Sequence, residues 1–144
     1  MAYQAMITAI KADVNTKLGT GGFNYSIQYE NDPAFQKPDN AVWIRASIRP
    51  AGANTVCISE KNTYRQEGIL DLQVNAPFGF GETEVNLAVE RCIQAYDYVN
   101  INVGDAEGTI VKFDMAPYPT VVGRAAGEHQ VNVTCPYRAD FTQT

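Results

Sequence analysis

Between Gly68 and Val99 the chain writes a strand, a sharp turn and a helix in unbroken succession, and this run constrains the fold more than any other. Leu70, Leu72, Val74 and Ala76 alternate with Asp71, Gln73 and Asn75, the period of a strand with one apolar and one polar face. Pro77 closes the run, because a proline cannot donate to a continuing ladder. In Pro77-Phe78-Gly79-Phe80-Gly81 the glycines permit a reversal, and Glu82 and Glu84 stand where negative charge favours the first turn of a helix. Val85, Ala88, Val89, Cys92, Ile93, Tyr96 and Val99 then share one helical stripe. Such a helix must cover the apolar face of a sheet, and the unit is built for packing.

The flanking sequence supplies the other elements. Tyr3, Ile7, Ile10 and Val14 recur at helical spacing and predict a helix from about Ala2 to Leu18, stopped by Gly19, Gly21 and Gly22. Phe23, Tyr25, Ile27 and Tyr29 alternate as a first strand. A loop with Pro33 and Pro38 follows, with Phe35 pinning it to the core. Val42, Ile44, Ala46 and Ile48 then oppose Trp43, Arg45, Ser47 and Arg49 on a strand ended by Pro50 and Gly52. Val56 to Ser59 is a short extended piece before a polar turn around Lys61 to Thr63.

Beyond the second helix, Ile101 to Gly108 reads as a turn-rich connection. Val111, Phe113 and Met115 mark a strand terminated by Pro117 and Pro119. The last strand alternates Val131, Val133, Cys135, Tyr137, Ala139 and Phe141 with polar residues. Its length argues for a central position, while Pro136 argues for an edge or a bulge. The expected fold is α+β: a mainly antiparallel sheet of about four to six strands, with two helices packed on one face. The other face is left to solvent or a partner.

The length of 144 residues, 45% apolar, suits one domain with one core. Eleven Lys and Arg against sixteen Asp and Glu give a net charge of −5, which disfavours a general phosphate-neutralising surface. No stretch reaches the roughly 18 to 20 apolar residues of a membrane span, and no basic segment leads into a hydrophobic run at the start. A cytoplasmic site of synthesis is expected. Cys57, Cys92 and Cys135 lack the paired spacing of a disulfide framework or a zinc site, and read as buried thiols. The sequons at Asn24 and Asn132 carry no weight without a secretion signal.

Few residues suggest chemistry. His129 is the sole histidine, and a lone imidazole at the start of a strand after Gly127 more often marks a surface than a general base. Gly79-Phe80-Gly81 before a helix has the outline of a phosphate turn, but Glu84 stands where a dinucleotide fingerprint needs its third glycine. Glu82 would repel an anion there, and the Lys-Ser/Thr pair of a phosphate loop is missing. The carboxylates of Glu30 and Asp32, Glu82 and Glu84, and Asp105 and Glu107 do not form a convergent ligand set. No catalytic, cofactor or metal residue is expected. Trp43 with Arg45 and Arg49 could stack a base, but the acidic balance favours an interface anchor.

The order of elements then becomes informative, through the "VWIRASIRP" strand and the "GILDLQVNAPFGFGETEVNLAVERCIQAY" strand-turn-helix. It resembles the tail terminator proteins of long-tailed bacteriophages over nearly the whole chain. Its most specific part is Gly68-Ile69-Leu70 leading through Pro77 to the Gly79 and Gly81 turn. The resemblance implies a structural, non-enzymatic subunit of a hexameric ring in the virion, at the head-proximal end of the tail and assembled in the host cytoplasm. Such a ring ends tail-tube polymerisation, docks the head-tail connector or stopper protein, and lets genomic DNA pass. A connector or stopper subunit is the nearest alternative, and a small ligand-binding domain or enzyme a more distant one.

Within that reading, Trp43, Arg45 and Arg49 are expected at a subunit or tail-tube contact. Glu67 and Asp71, on the polar side of a strand, are expected to face the channel, where negative charge weakens the attraction of DNA.

Overall fold

Three strands of fifteen residues each, β2 (Trp43–Cys57), β3 (Thr63–Pro77) and β7 (Glu128–Thr142), form the centre of the molecule. The computed structural model describes residues 3–30, 35–57, 63–105, 108–125 and 127–142. Around the central strands lie α1 (Tyr3–Lys17), β1 (Ser26–Tyr29), α2 (Glu82–Ala95), β4 (Val99–Asn102), β5 (Ile110–Phe113) and β6 (Tyr118–Ala125).

Among the described residues the sheet has seven strands in the order β1-β2-β3-β7-β5-β4, with β6 also paired to β7. It is larger than the sequence suggested, and it is mixed, because β1 runs parallel to β2. The other pairings are antiparallel. Two strands went unread. The segment at 99–102, where spacing predicts the end of a helix and a connection, leaves α2 through Tyr98 at φ 55° and becomes β4. The prolines at 117 and 119 hid β6, which is an outer strand where a missing amide is tolerated.

Pro50 does not end β2. The strand continues past it with a register shift between Pro50 and Gly52, the behaviour of a bulge. This part of β2 lies beyond the four residues that β1 covers, so among the described residues its second side is an edge. Pro136 has a comparable position within β7. On that side β6 pairs up to Thr134 and β5 pairs at Arg138 and Ala139. The proline falls in the gap between them, which reconciles it with a central strand.

One face of the sheet carries the core. Ile44, Leu72, Val74, Val131 and Val133 pack under Met6, Ile10 and Val14 of α1 and under Val85, Ala88 and Cys92 of α2. The buried stripe of α1 is therefore Met6, Ile10 and Val14, continued by Leu18. It is rotated from the predicted one, and Tyr3 is exposed. The first strand is shorter than its alternation implied: Phe23 is exposed and Asn24 has φ 64°, so the turn after α1 consumes those residues. Helix α2 begins at Glu82 as expected, entered through Gly81 at φ 110°, a backbone conformation open to glycine. Tyr96, Phe113 and Tyr137 stack in sequence with ring centroids 4.8 and 5.8 Å apart, tying α2, β5 and β7 together.

Cys92 and Cys135 are buried free thiols. Burial pushes the Cys92 thiol up to about 12 and that of Cys135 higher still, so both stay protonated and inert at neutral pH. The side chain of Cys57 lies outside the described residues, as do Lys61, Asp32 and Glu107.

Candidate functional site

The face of the sheet turned away from the helices is the candidate site, because strand alternation gives it a continuous set of polar side chains. One row joins Gln28, Arg45, Gln73, Asn132 and Thr120 across five strands. The next joins Ser47, Asp71, Thr134 and Tyr118. Gln73 donates to Asn132 at 3.0 Å, and Arg45 Nε donates to Gln28 Oε1 at 3.0 Å. Further along, Arg65 grips Asp140 with two nitrogens at 2.9 and 3.3 Å, and Arg138 meets Asp114 at 2.6 Å. Hydrogen bonding to Arg65 lowers the Asp140 carboxyl below its ordinary value.

Trp43 lies on this face, but it is not an exposed anchor. It is 4% exposed, because Phe35, from the described residues that precede β2, lies over it. Phe35 stacks on its ring at 5.3 Å, and its Nε1 donates to Glu128 at 2.7 Å. Glu128, buried in turn, meets Lys37 at 2.5 Å. The expectation that Phe35 pins the loop holds, with Trp43 as its partner. No local sequence signal links Glu128 to Trp43, because the pair is made by the β2–β3 and β3–β7 ladders together. Arg45 is exposed and lies 5.7 Å from the Trp43 ring.

Arg49 is also exposed, and its Nη2 lies 3.5 Å from Asp71. Asp71 is mostly covered, with a side chain 15% exposed and one carboxylate oxygen unpartnered. Desolvation raises its pKa, and Arg49 offsets part of that. Glu67 is exposed. Ile69, Pro136 and Met115 line a depression of about 260 Å³ beside Glu67 and Arg138. Met115, expected in a strand, lies past β5 and is 60% exposed.

His129 lies elsewhere, in a pocket of about 250 Å³ against Phe78, Phe80 and Val85 at the Gly79–Gly81 turn. That lining contains no serine, threonine or cysteine for an imidazole to activate. Among the described residues no three His, Cys, Asp or Glu side chains are grouped to hold a metal ion, and no helix is long and apolar enough to cross a membrane. Sequence reasoning also missed the exposure along β6, where Tyr118, Val121 and Val122 are 52, 69 and 49% exposed. Nearby, the Arg124 guanidinium lies 3.7 Å from the exposed Phe78 ring.

Residues 6–137 match the family model described as phage tail terminator protein. One solved structure, 18% identical in sequence, superposes with a TM-score of 0.73, covering 98% of this chain and 97% of its own; at that identity the likeness shows the fold. No curated protein matches the sequence.

Proposed function

The chain belongs to the phage tail terminator family, a family of phage structural proteins concerned with tail completion, and we propose that it caps the tail tube as one subunit of a closed ring. The observation that carries this reading is the family match across residues 6–137. Physical features support it. Helices clothe one side of the sheet, while the other presents polar rows and is covered at Trp43 by Phe35, so the subunit offers two unlike surfaces, as a head-to-tail ring of identical copies requires.

In this reading the ring has six copies, stops polymerisation of the tail tube, and presents its far side to the head-tail connector or stopper protein at the head-proximal end of the virion tail. It assembles in the host cytoplasm. Arg45 and Arg49, on the sheet face away from the helices, lie at a subunit or tail-tube contact, with Trp43 as the buried support beside Arg45. Glu67 and Asp71, two residues to either side of Ile69, Arg49's partner on β3, turn toward the channel through which DNA passes. Glu67 supplies the more accessible charge.

The test mixes the purified chain with assembling tail tubes and measures their lengths by electron microscopy. Tubes of restricted length with added density at one end are expected. Tubes that elongate as if the chain were missing would overturn the reading, and binding only to head connectors would favour a connector role. Arg45→Gln with Arg49→Gln is expected to reduce capping at least tenfold while lowering the melting temperature of the subunit by no more than about a few degrees, the scale of losing an exposed ion pair beside Asp71.

A further inference from the structure

We propose that neighbouring copies of this chain join their sheets edge to edge, the free side of β6 in one copy pairing antiparallel with the free side of β1 in the next; the inference rests on the ring reading above. Through the Glu128–Thr134 half of β7, the sheet is a five-strand path β1-β2-β3-β7-β6, and among the described residues neither end strand has a partner on its outer side. Unpaired strand edges template the addition of another strand.

Strand direction fits. β1 runs with β2, β3 runs against β2, β7 runs with β2, and β6 runs against it. The two end strands therefore point in opposite directions. Repeating the subunit by rotation about an axis along the strands sets β6 antiparallel to the next β1. The contact uses two different edges, so it is heterologous and propagates until it closes.

Side-chain chemistry fits as well. The apolar row Ile27, Ile44, Val74 and Val131 ends at Val121, which is 69% exposed in the isolated subunit. The polar row that begins at Gln28 ends at Thr120. Setting Thr120 opposite Gln28 of the next copy places Val121 opposite Ile27 and continues both rows, apolar to apolar and polar to polar. From Tyr118 to Gly123 the edge carries no charged residue to repel a strand. Pro119 and the register shift between Val121 and Gly123 keep the open stretch short, in keeping with the four residues of β1.

Paired cysteines test the register. Thr120→Cys and Gln28→Cys are introduced together in a Cys57→Ser background, Cys92 and Cys135 being buried. After assembly on tail tubes and mild oxidation, the expected product is a ladder of covalent multimers ending at the ring size, with neither single variant giving one. Val121→Lys, at an exposed position, is expected to lower ring formation at least tenfold without changing the subunit's melting temperature. Capped tubes that yield no ladder, or V121K rings formed as readily as wild type, overturn edge pairing and leave the terminator reading standing. Failure of the unmodified chain to cap tubes overturns both.

Discussion

Gly68 and Tyr137 face each other across the β3–β7 ladder, and the phenol ring occupies the space where a side chain on residue 68 would begin. A Cβ placed there would lie 2.5 Å from Tyr137 Oη, 2.6 Å from Cζ and 2.8 Å from the Arg49 carbonyl oxygen. Gly68→Ala is expected to destabilise by about 1–3 kcal/mol, the usual cost of overpacking a core. Adding Tyr137→Leu recovers only part of that, because the Arg49 backbone still blocks the site. Urea unfolding of both variants measures the coupling.

The Tyr137 hydroxyl is buried without a partner, and burial pushes its pKa up to about 12 from 10.0. The folded state thus holds this proton more tightly than the unfolded chain. Its contribution to stability is complete below pH 10 and is lost as pH rises through 12. Tyr137→Phe removes this unpartnered buried hydroxyl and is expected to stabilise by about 1 kcal/mol at pH 7. It should retain more stability than wild type above pH 10, as alkaline urea melts will report.

Asp71 has its folded pKa raised by desolvation, so its protonated form favours the folded state. That contribution is full below the unfolded value of 3.8 and is lost as pH rises through the folded value. Asp71→Asn, which cannot ionise, should therefore gain on wild type as pH increases from 3.8 to neutrality. Thermal melts across that range check the sign, and a variant that loses ground on raising the pH would contradict it.

Removing the indole donor isolates the buried pair of Trp43 and Glu128. Trp43→Phe leaves the carboxylate with Lys37 and deprives it of a hydrogen bond, at an expected cost of about 1–3 kcal/mol. Glu128→Gln should restore part of the loss in the double variant, since a neutral amide needs less compensation. As Trp43 is the sole tryptophan, wild-type fluorescence reports opening of the Phe35 segment directly, with a red shift expected before or at global unfolding.

Much of the central architecture was legible because it follows from alternation. The apolar rows of β2, β3 and β7 and the start of α2 at Glu82 could be read from spacing alone. Where the reading failed, a long-range contact or a topological allowance intervened. Trp43 looked outward by its period and is outward by face, yet the loop carrying Phe35 and Lys37 covers it. Pro50 and Pro119 looked like terminators, but edge positions and a bulge accommodate them. For the candidate site, Arg45 and Arg49 were visible as exposed cations on a polar face. The open edges were not, because only the assembled strand order reveals which strands lack a neighbour.

The place of β7 also sets the order in which this molecule can come into being. It is the strand to which β3, β5 and β6 all pair, and its ladder with β3 joins Thr63 to Thr142. The β2–β3 hairpin can close on itself early, but its apolar side stays open to water until β7 is synthesised. Ladders between such distant residues form slowly, on the order of milliseconds to seconds. A nascent chain halted before Glu128 lacks the strand that unites the sheet, so folding waits on the synthesis of β7, and a chain without it cannot present the β6 edge on which assembly would depend.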